Sequence, residues 1–230
     1  PAARARAAVA RHDGDGPHRA EVHVGIVERP DGRPGAGAQE GAADEGDEEF
    51  PGIEPHGPHP RLSRSRANRT FVSVVTAAVR RHAGKLVYRL AIKGAGLLVP
   101  EPGKAGPGRR DGLWRRTCAE LFLGAAGRPG YLEWNLSPSG HWNLYRFDGY
   151  REGGRPEPAV AEASPVITRT GDELVVEADL PLDPLGLDEG PLEVGVCAVL
   201  QAADGSLSHW SLAHPASRPD FHDRRGFVLR

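Results

Sequence analysis

The 230-residue sequence lacks methionine and contains little lysine, little cysteine and no long apolar segment. Three of its 29 cationic side chains are lysine, and the acidic residues number 31, so the formal net charge is −2. A general nucleic-acid-binding domain would be clearly basic, and we therefore expect no nucleic-acid partner. No apolar run approaches the ~18–20 residues that a membrane-spanning helix needs, so we expect no membrane partner. The absence of methionine indicates a fragment or a processed product.

Two cysteines are too few for a disulfide framework, and each lies in an apolar run. Cys118 lies within TCAELFL and Cys197 within VGVCAVL, which favours buried free thiols over a disulfide bridge. The first twenty residues contain no apolar segment of the kind found in secretory signal peptides. These features predict a cytoplasmic protein.

Residues 1–61 differ in composition from the rest of the chain. The first leucine is Leu62, and the segment before it is rich in glycine and proline, with an acidic run at Glu40–Glu49. A segment with few large apolar side chains cannot bury enough surface to offset ~1–2 kcal/mol of backbone entropy per residue. We expect a disordered low-complexity tail over residues 1–61, or at most one short strand at Glu21–Val27, followed by one folded domain over residues 62–230.

From Phe71 onward, β-branched and aromatic runs alternate with turn-forming residues, and no ten-residue stretch has helical periodicity. Short strands joined by turns, without helices between them, indicate a β-sandwich or barrel. We expect an all-β fold, an antiparallel β-sandwich of about ten strands. The predicted strands are Phe71–Val79, Leu86–Ile92, Leu113–Leu123, Gly130–Leu136, His141–Phe147, Val166–Thr170, Glu173–Leu180, Leu192–Gln201, Ser206–Ala213 and Phe227–Leu229.

Polar side chains occupy strand positions where a sandwich core would be apolar. Because successive side chains of a strand point to opposite faces, we expect these residues to share one face of a sheet. An unpaired buried carboxylate is costly, so Glu120 needs a cationic partner, for which Arg116 and Arg146 are the candidates. The polar positions are Glu120, Glu133, Asn135, Asn143 and Tyr145.

The polar face has two interpretations. It is either a solvated outer face with one structural ion pair, or the floor of a binding cleft bordered by aromatic rings. Carboxylates and amides match sugar hydroxyls, and rings cover apolar sugar faces, so the second interpretation predicts a carbohydrate or similar polyhydroxylated ligand. Alternation also places Trp142 with Leu144, where its ring would fill the core instead. The candidate ligand-binding residues are Glu120, Glu133, Asn135, Trp142, Asn143, Tyr145, Arg116 and Trp210.

Three segments resemble the bacterial DOMON-like domain family: Trp114–Leu123, Tyr131–Arg151 and Trp210–His222. The likeness covers about Phe71 to Arg230. It implies a DOMON-type β-sandwich, related in shape to certain carbohydrate-binding modules and to haem-binding cytochrome domains. Because a fold does not imply a function, the resemblance leaves the ligand open.

Haem is the alternative cofactor that the resemblance brings in, and we disfavour it. The cytochrome relatives hold haem b with one methionine and one histidine, and this chain has no methionine. Two facing histidines would be needed instead, and the strand spacings offer no matched pair. The histidines available outside the tail and the predicted turns are His141, His209, His214 and His222.

Three further alternatives stay open at this point. One is a structural interaction domain without a small-molecule ligand. Another is a hydrolase with Glu120 and Glu133 as acid and base, which needs more assumptions than binding does. A third is a metal site near the C-terminus, for which hydration and capping are the favoured explanation. The residues concerned are His214, Asp220, His222 and Asp223.

Overall fold

The computed structural model describes residues 21–27, 63–64, 74–95, 98 and 108–230. Over this part of the chain the fold is all β, as predicted, with three-residue 3-10 helices as the helical elements. None of the helices described is long and apolar enough to cross a membrane. The strands are β1 (Glu21–Val27), β2 (Ser63–Arg64), β3 (Val74–His82), β4 (Lys85–Lys93), β5 (Gly108–Arg109), β6 (Cys118–Ala125), β7 (Tyr131–Leu136), β8 (His141–Phe147), β9 (Arg155–Pro156), β10 (Val166–Thr170), β11 (Glu173–Pro181), β12 (Leu192–Gln201) and β13 (Leu207–Ser211).

The strands form two sheets in a sandwich arrangement. The smaller sheet has the order β1-β3-β4-β11-β10, and all of its pairs are antiparallel. The larger sheet has the order β2-β13-β12-β6-β7-β8-β5, with β9 also paired to β8. Its pairs are antiparallel except the short parallel contact between β5 and β8. The central hairpin β7–β8 follows from Pro138–Gly140, a turn that ends with Gly140 at φ 83°.

The main hydrophobic core lies between the two sheets. Strand β6 contributes Ala119, Leu121 and Leu123 to it by strict alternation. The rings of Tyr88 and Trp134 meet across the interface, with centroids 6.4 Å apart. Cys118 and Cys197 are buried free thiols, which confirms that prediction. The alternate residues of β6, β7 and β8 therefore face away from the smaller sheet.

Two predicted strand boundaries are wrong. Residues Leu113–Arg115 form a 3-10 helix that begins after Gly112, which has φ 75°, and the strand starts only at Cys118. Near the C-terminus, the predicted strand Phe227–Leu229 is reduced to one isolated bridge between Leu229 and Val194. The short strands β2, β5 and β9 were not predicted. Apart from β1, the predicted tail lies outside the described residues.

Candidate functional site

The outer face of the larger sheet carries a cavity of about 520 Å³. Its floor comes from β6, β7, β8, β12 and β13, and its walls come from three loops. These are the 3-10 segment after Gly112, the β8–β9 loop and the segment that follows β13. The lining residues are Trp114, Glu120, Phe122, Glu133, Tyr145, Phe147, Arg151, Gly154, Val199, His209, Pro219, Phe221 and His222.

Antiparallel register brings two carboxyl groups together on the cavity floor. Phe122 pairs with Glu133, and Glu120 pairs with Asn135, so the two glutamates are diagonal neighbours on β6 and β7. Diagonal neighbours on one face of a sheet lie within reach of long side chains. The sequence of two adjacent strands thus places Glu120 and Glu133 on the same floor.

Glu120 is the more deeply buried of the two, with 2% of its surface exposed. Its Oε1 has no hydrogen-bond partner among the described residues. Burial, followed by the nearby Glu133 carboxyl, raises the pKa of Glu120 well above its ordinary value. A buried carboxyl without a partner is costly in its charged form, so the proton-bound form is favoured.

Glu133 has neighbours that Glu120 lacks. Asn135 donates a hydrogen bond from Nδ2 to Glu133 Oε1 at 2.8 Å. On its other side, Oε2 lies 3.7 Å from His222 Nε2. Burial raises the pKa of Glu133, while the Asn135 hydrogen bond and the Arg151 charge oppose that rise. Asn135 is therefore a support for the carboxyl rather than a wall of the cavity.

His222 closes the cavity from the side of the C-terminal segment. Its Nδ1 is hydrogen-bonded to Tyr131 Oη at 2.8 Å, and the same oxygen accepts the Arg151 backbone N–H at 3.2 Å. Burial, with the Arg151 charge, lowers the pKa of His222 to about 4. His222 is thus neutral at pH 7.

Asp220 fixes the two covering loops to each other. Its carboxylate accepts hydrogen bonds from Arg151 Nη2 at 2.8 Å, from Tyr150 Oη and from the His222 backbone N–H at 3.2 Å. Arg151 itself has φ 56°, a backbone region that few residues other than glycine adopt. The arginine that lines the cavity is therefore already paired.

Aromatic rings line both the floor and the walls of the cavity. Trp114 is 40% exposed and makes an edge contact with Tyr145, with centroids 5.7 Å apart. Phe122 makes edge contacts with Phe221 and His222, with centroids 6.4 and 5.2 Å apart. Aromatic rings beside buried carboxyls make a surface that can bind a ligand with both polar groups and flat apolar faces.

The structure brings four of the predicted site residues together. Glu120, Glu133 and Tyr145 line the cavity, and Asn135 supports Glu133. Asn143 lies beside them and donates to Tyr145 Oη at 2.8 Å, which makes it a positioning residue for that ring. Tyr145 Oη in turn donates to Asp111 Oδ1 at 2.7 Å. Burial and this hydrogen bond raise the pKa of Tyr145.

The structure separates the other predicted site residues from the cavity. Trp142 and Trp210 are 2% and 0% exposed and belong to the core between the sheets, because alternation turns them to the inner face. Trp142 stacks under the guanidinium of Arg109, with Cζ 4.3 Å from the ring centroid. Trp210 Nε1 donates to Ser208 Oγ.

The predicted ion pairs of Glu120 are also wrong. Arg116 lies exposed after the 3-10 turn and makes no ion pair with Glu120. Arg146 points to the inner face, as alternation predicts, and pairs with Glu157. Neither of the two predicted arginines therefore pairs with Glu120, which lines the cavity.

Sequence reasoning missed the walls of the cavity. Phe221 and His222 come from an irregular segment about 90 positions from Tyr131, so no strand period points to them. Two of the C-terminal metal candidates have other roles in the structure. Asp220 binds Arg151, and Asp223 accepts the Arg225 backbone N–H at the start of a 3-10 helix. Among the described residues, no group of three or more potential metal ligands occurs.

No protein-family model matches the chain, and no curated protein sequence matches it, so the DOMON-like assignment stays a prediction. Solved structures do align with it. A Bacteroides uniformis protein to which carbohydrate binding is ascribed aligns with a TM-score of 0.49 and 12% identity, over 66% of this chain and 75% of its own. A carbohydrate binding module of family 9 from Caldicellulosiruptor kristjanssonii, solved with cellotriose, gives 0.41 and 10%, over 66% and 72%. A module of that family from the same organism, solved with glucose, gives 0.39 and 9%, over 65% and 73%.

Proposed function

We propose that this chain is a non-catalytic ligand-binding domain, and that its ligand is a carbohydrate or a similar polyhydroxylated small molecule. The observation that supports the proposal is the outer-face cavity, where aromatic rings border a floor of two carboxyl groups. Hydroxyl groups of a ligand would supply donors to Glu120 and Glu133, and the rings would cover its apolar faces. The DOMON-like segment Tyr131–Arg151 belongs to the same proposal, since it supplies four of the lining side chains.

Binding requires less of the two carboxyls than catalysis does. A hydrolase of this kind keeps one carboxyl ionised and the other protonated, so the environments must move the two pKa values apart. Here burial raises the pKa of both Glu120 and Glu133. Acceptance of hydrogen bonds by Glu120 and Glu133 sets no such requirement, and we therefore propose binding.

Haem is the second candidate that a specific observation raises, because His209 and His222 both line the cavity. The residues present fit it poorly. His222 already engages Tyr131 through Nδ1 and faces Glu133 through Nε2. We therefore propose that haem is not the ligand. A Soret band in the spectrum of the purified protein, lost in the His209→Ala variant, would overturn this.

The test of binding is a glycan array on the full chain, followed by calorimetry with the best glycan. We expect Glu133→Gln to weaken that binding by about tenfold or more, the factor that corresponds to ~1.4 kcal/mol, because an amide nitrogen replaces one of the two acceptor oxygens. We expect Trp114→Ala to weaken it as well. Glu177→Gln is the matched control, since Glu177 pairs with Arg89 on the smaller sheet, away from the cavity.

Stability separates this proposal from a purely structural role. Glu133 makes no ion pair with an arginine or lysine in the described structure, so Glu133→Gln should leave the melting temperature nearly unchanged. A large fall in melting temperature would assign Glu133 to a structural network instead. An array without any bound glycan would contradict the proposed ligand class.

A further inference from the structure

The cavity lining contains more acidic than basic side chains. Two of its lining side chains are carboxyls, and Arg151 is the permanent cation among the described lining residues. Arg151 is already paired with Asp220, at 2.8 Å. Both lining histidines are neutral at pH 7, because burial lowers the pKa of His209 and of His222. The two carboxyls thus have one permanent cation in the described lining, Arg151, and its ion pair is with Asp220.

Glu120 is the floor carboxyl with the fewest partners. It is 2% exposed, its Oε1 has no hydrogen-bond partner among the described residues, and its ionisable neighbour on the floor is another carboxyl. A protein that used Glu120 only for packing would leave its acceptor buried at a cost that an apolar side chain avoids. Glu120 lines the cavity, so a bound molecule would lie against its side chain, and a shift of the buried carboxyl towards that molecule would give Oε1 a partner.

The aromatic rings of the floor and the walls add a second preference for positive charge. Trp114, Phe122, Tyr145, Phe147 and Phe221 contribute rings to the same cavity. The negative face of an aromatic ring attracts a cation within about 6 Å of its centroid, and the attraction grows when water is excluded. A hydroxyl group has one O–H to donate, whereas an ammonium group has three N–H donors and a charge that would favour the ionised form of Glu120 over its proton-bound form.

We propose that the ligand presents a positively charged amino group to Glu120 and Glu133, as an amino sugar would. This inference rests on the proposed function, because it names the ligand class of the same cavity. The amino group would donate hydrogen bonds to the carboxyls, and the sugar ring would stack among the aromatic walls.

The experiment compares two trisaccharides by calorimetry on the full chain, at matched pH and ionic strength. One is the β-1,4-linked trimer of glucosamine, and the other is the β-1,4-linked trimer of glucose, which carries a hydroxyl in place of each ammonium. We expect the glucosamine trimer to bind more tightly by about tenfold or more, the factor given by a desolvated cation contact of ~1.4 kcal/mol. Tetramethylammonium, a cation without a sugar, is the third probe and should compete with it.

The variants test whether the floor causes the preference. Glu120→Gln and Glu133→Gln should each bring the ratio of the two trisaccharide affinities towards one. Glu177→Gln, on the smaller sheet, should leave the ratio as it is in the parent protein. A ratio that stays high in both floor variants would overturn the proposal.

Each remaining outcome separates this inference from the proposed function. Equal binding of both trisaccharides would overturn the amino-group inference and support the carbohydrate proposal. Binding of tetramethylammonium without either sugar would support the cationic group and contradict the carbohydrate class. Binding of none of the three probes would overturn the amino-group inference and contradict a carbohydrate ligand together.

Discussion

The two faces of the larger sheet are both buried, yet they differ in chemistry. Strand β7 turns Leu132, Trp134 and Leu136 towards the smaller sheet and turns Tyr131, Glu133 and Asn135 outward, and all six are buried. On the inner face, burial is achieved with hydrocarbon, which stabilises the fold at about 25 cal/mol per Å². On the outer face it includes carboxyl and amide groups that need partners. The inner face therefore accounts for the fold, and the outer face carries the polar groups that the proposed ligand would contact.

The largest expected effect is on the inner face. Trp134 is fully buried, and its ring packs near Tyr88 of the opposite sheet. Trp134→Ala should lower the free energy of unfolding by ~3–5 kcal/mol, because it leaves a cavity between the sheets. Chemical denaturation measures this.

Trp114→Ala is the matched change on the outer face, where the ring is 40% exposed and borders the cavity. It should change the free energy of unfolding by only about 0.5 kcal/mol. Equal losses in the two variants would contradict the division of roles between the faces.

A middle-sized effect is expected where the C-terminal segment covers the outer face. Arg224 anchors that segment through Glu193 Oε2 at 2.9 Å and through the Ala125 and Gly130 carbonyls at 2.8 and 3.0 Å. Arg224→Ala should lower the free energy of unfolding by ~1.5–3 kcal/mol. It should also increase hydrogen exchange in the segment that carries Phe221 and His222.

Arg225 provides the control for this change. Its side chain is 73% exposed and binds Asp223 within its own turn. Arg225→Ala should leave exchange in the segment unchanged. If both variants loosen the segment equally, the anchor is not Arg224.

The same comparison explains what sequence could predict. The two-residue period of a strand is a local property, so it placed Glu120, Glu133 and Tyr145 on one face and Leu121 and Leu144 on the other. Trp142 followed that period into the core, while the nearby turn had suggested a place at the site. The strand period therefore predicted the position of Trp142 better than its closeness to the turn along the chain did.

The walls could not be predicted by this rule. His222 meets Tyr131 across 91 positions, and it does so from a segment without regular structure. Contacts of that kind depend on how the chain returns over the sheet. The ion pair expected for Glu120 failed for a related reason, because the 3-10 turn at Leu113–Arg115 interrupts the period that would have aligned Arg116 with it.

The most subtle expected effect is on the pH dependence of stability. Burial, followed by the Glu133 carboxyl, raises the pKa of Glu120 above its ordinary 4.5. The folded state therefore retains a proton that the unfolded state releases, and stability falls as the pH rises from 4.5 towards the folded-state pKa. Glu120→Gln cannot titrate. The free energy of unfolding of this variant, measured by denaturation from pH 4 to 8, should therefore increase relative to that of the parent protein as the pH rises.

Glu157, on the inner side, should contribute a pH dependence of stability with the opposite sign. Burial opposes ionisation of this carboxyl, but the Ala159 N–H and the Arg146 guanidinium outweigh burial and lower its pKa below 4.5. Its stabilisation is present above pH 4.5 and is lost as the pH falls through the folded-state pKa. Glu157→Gln should thus be less stable than the parent at neutral pH, with a difference that shrinks in acid. Parallel pH curves for the parent and Glu120→Gln would show that folding leaves the pKa of Glu120 unshifted, so that burial would impose no cost on its ionised form.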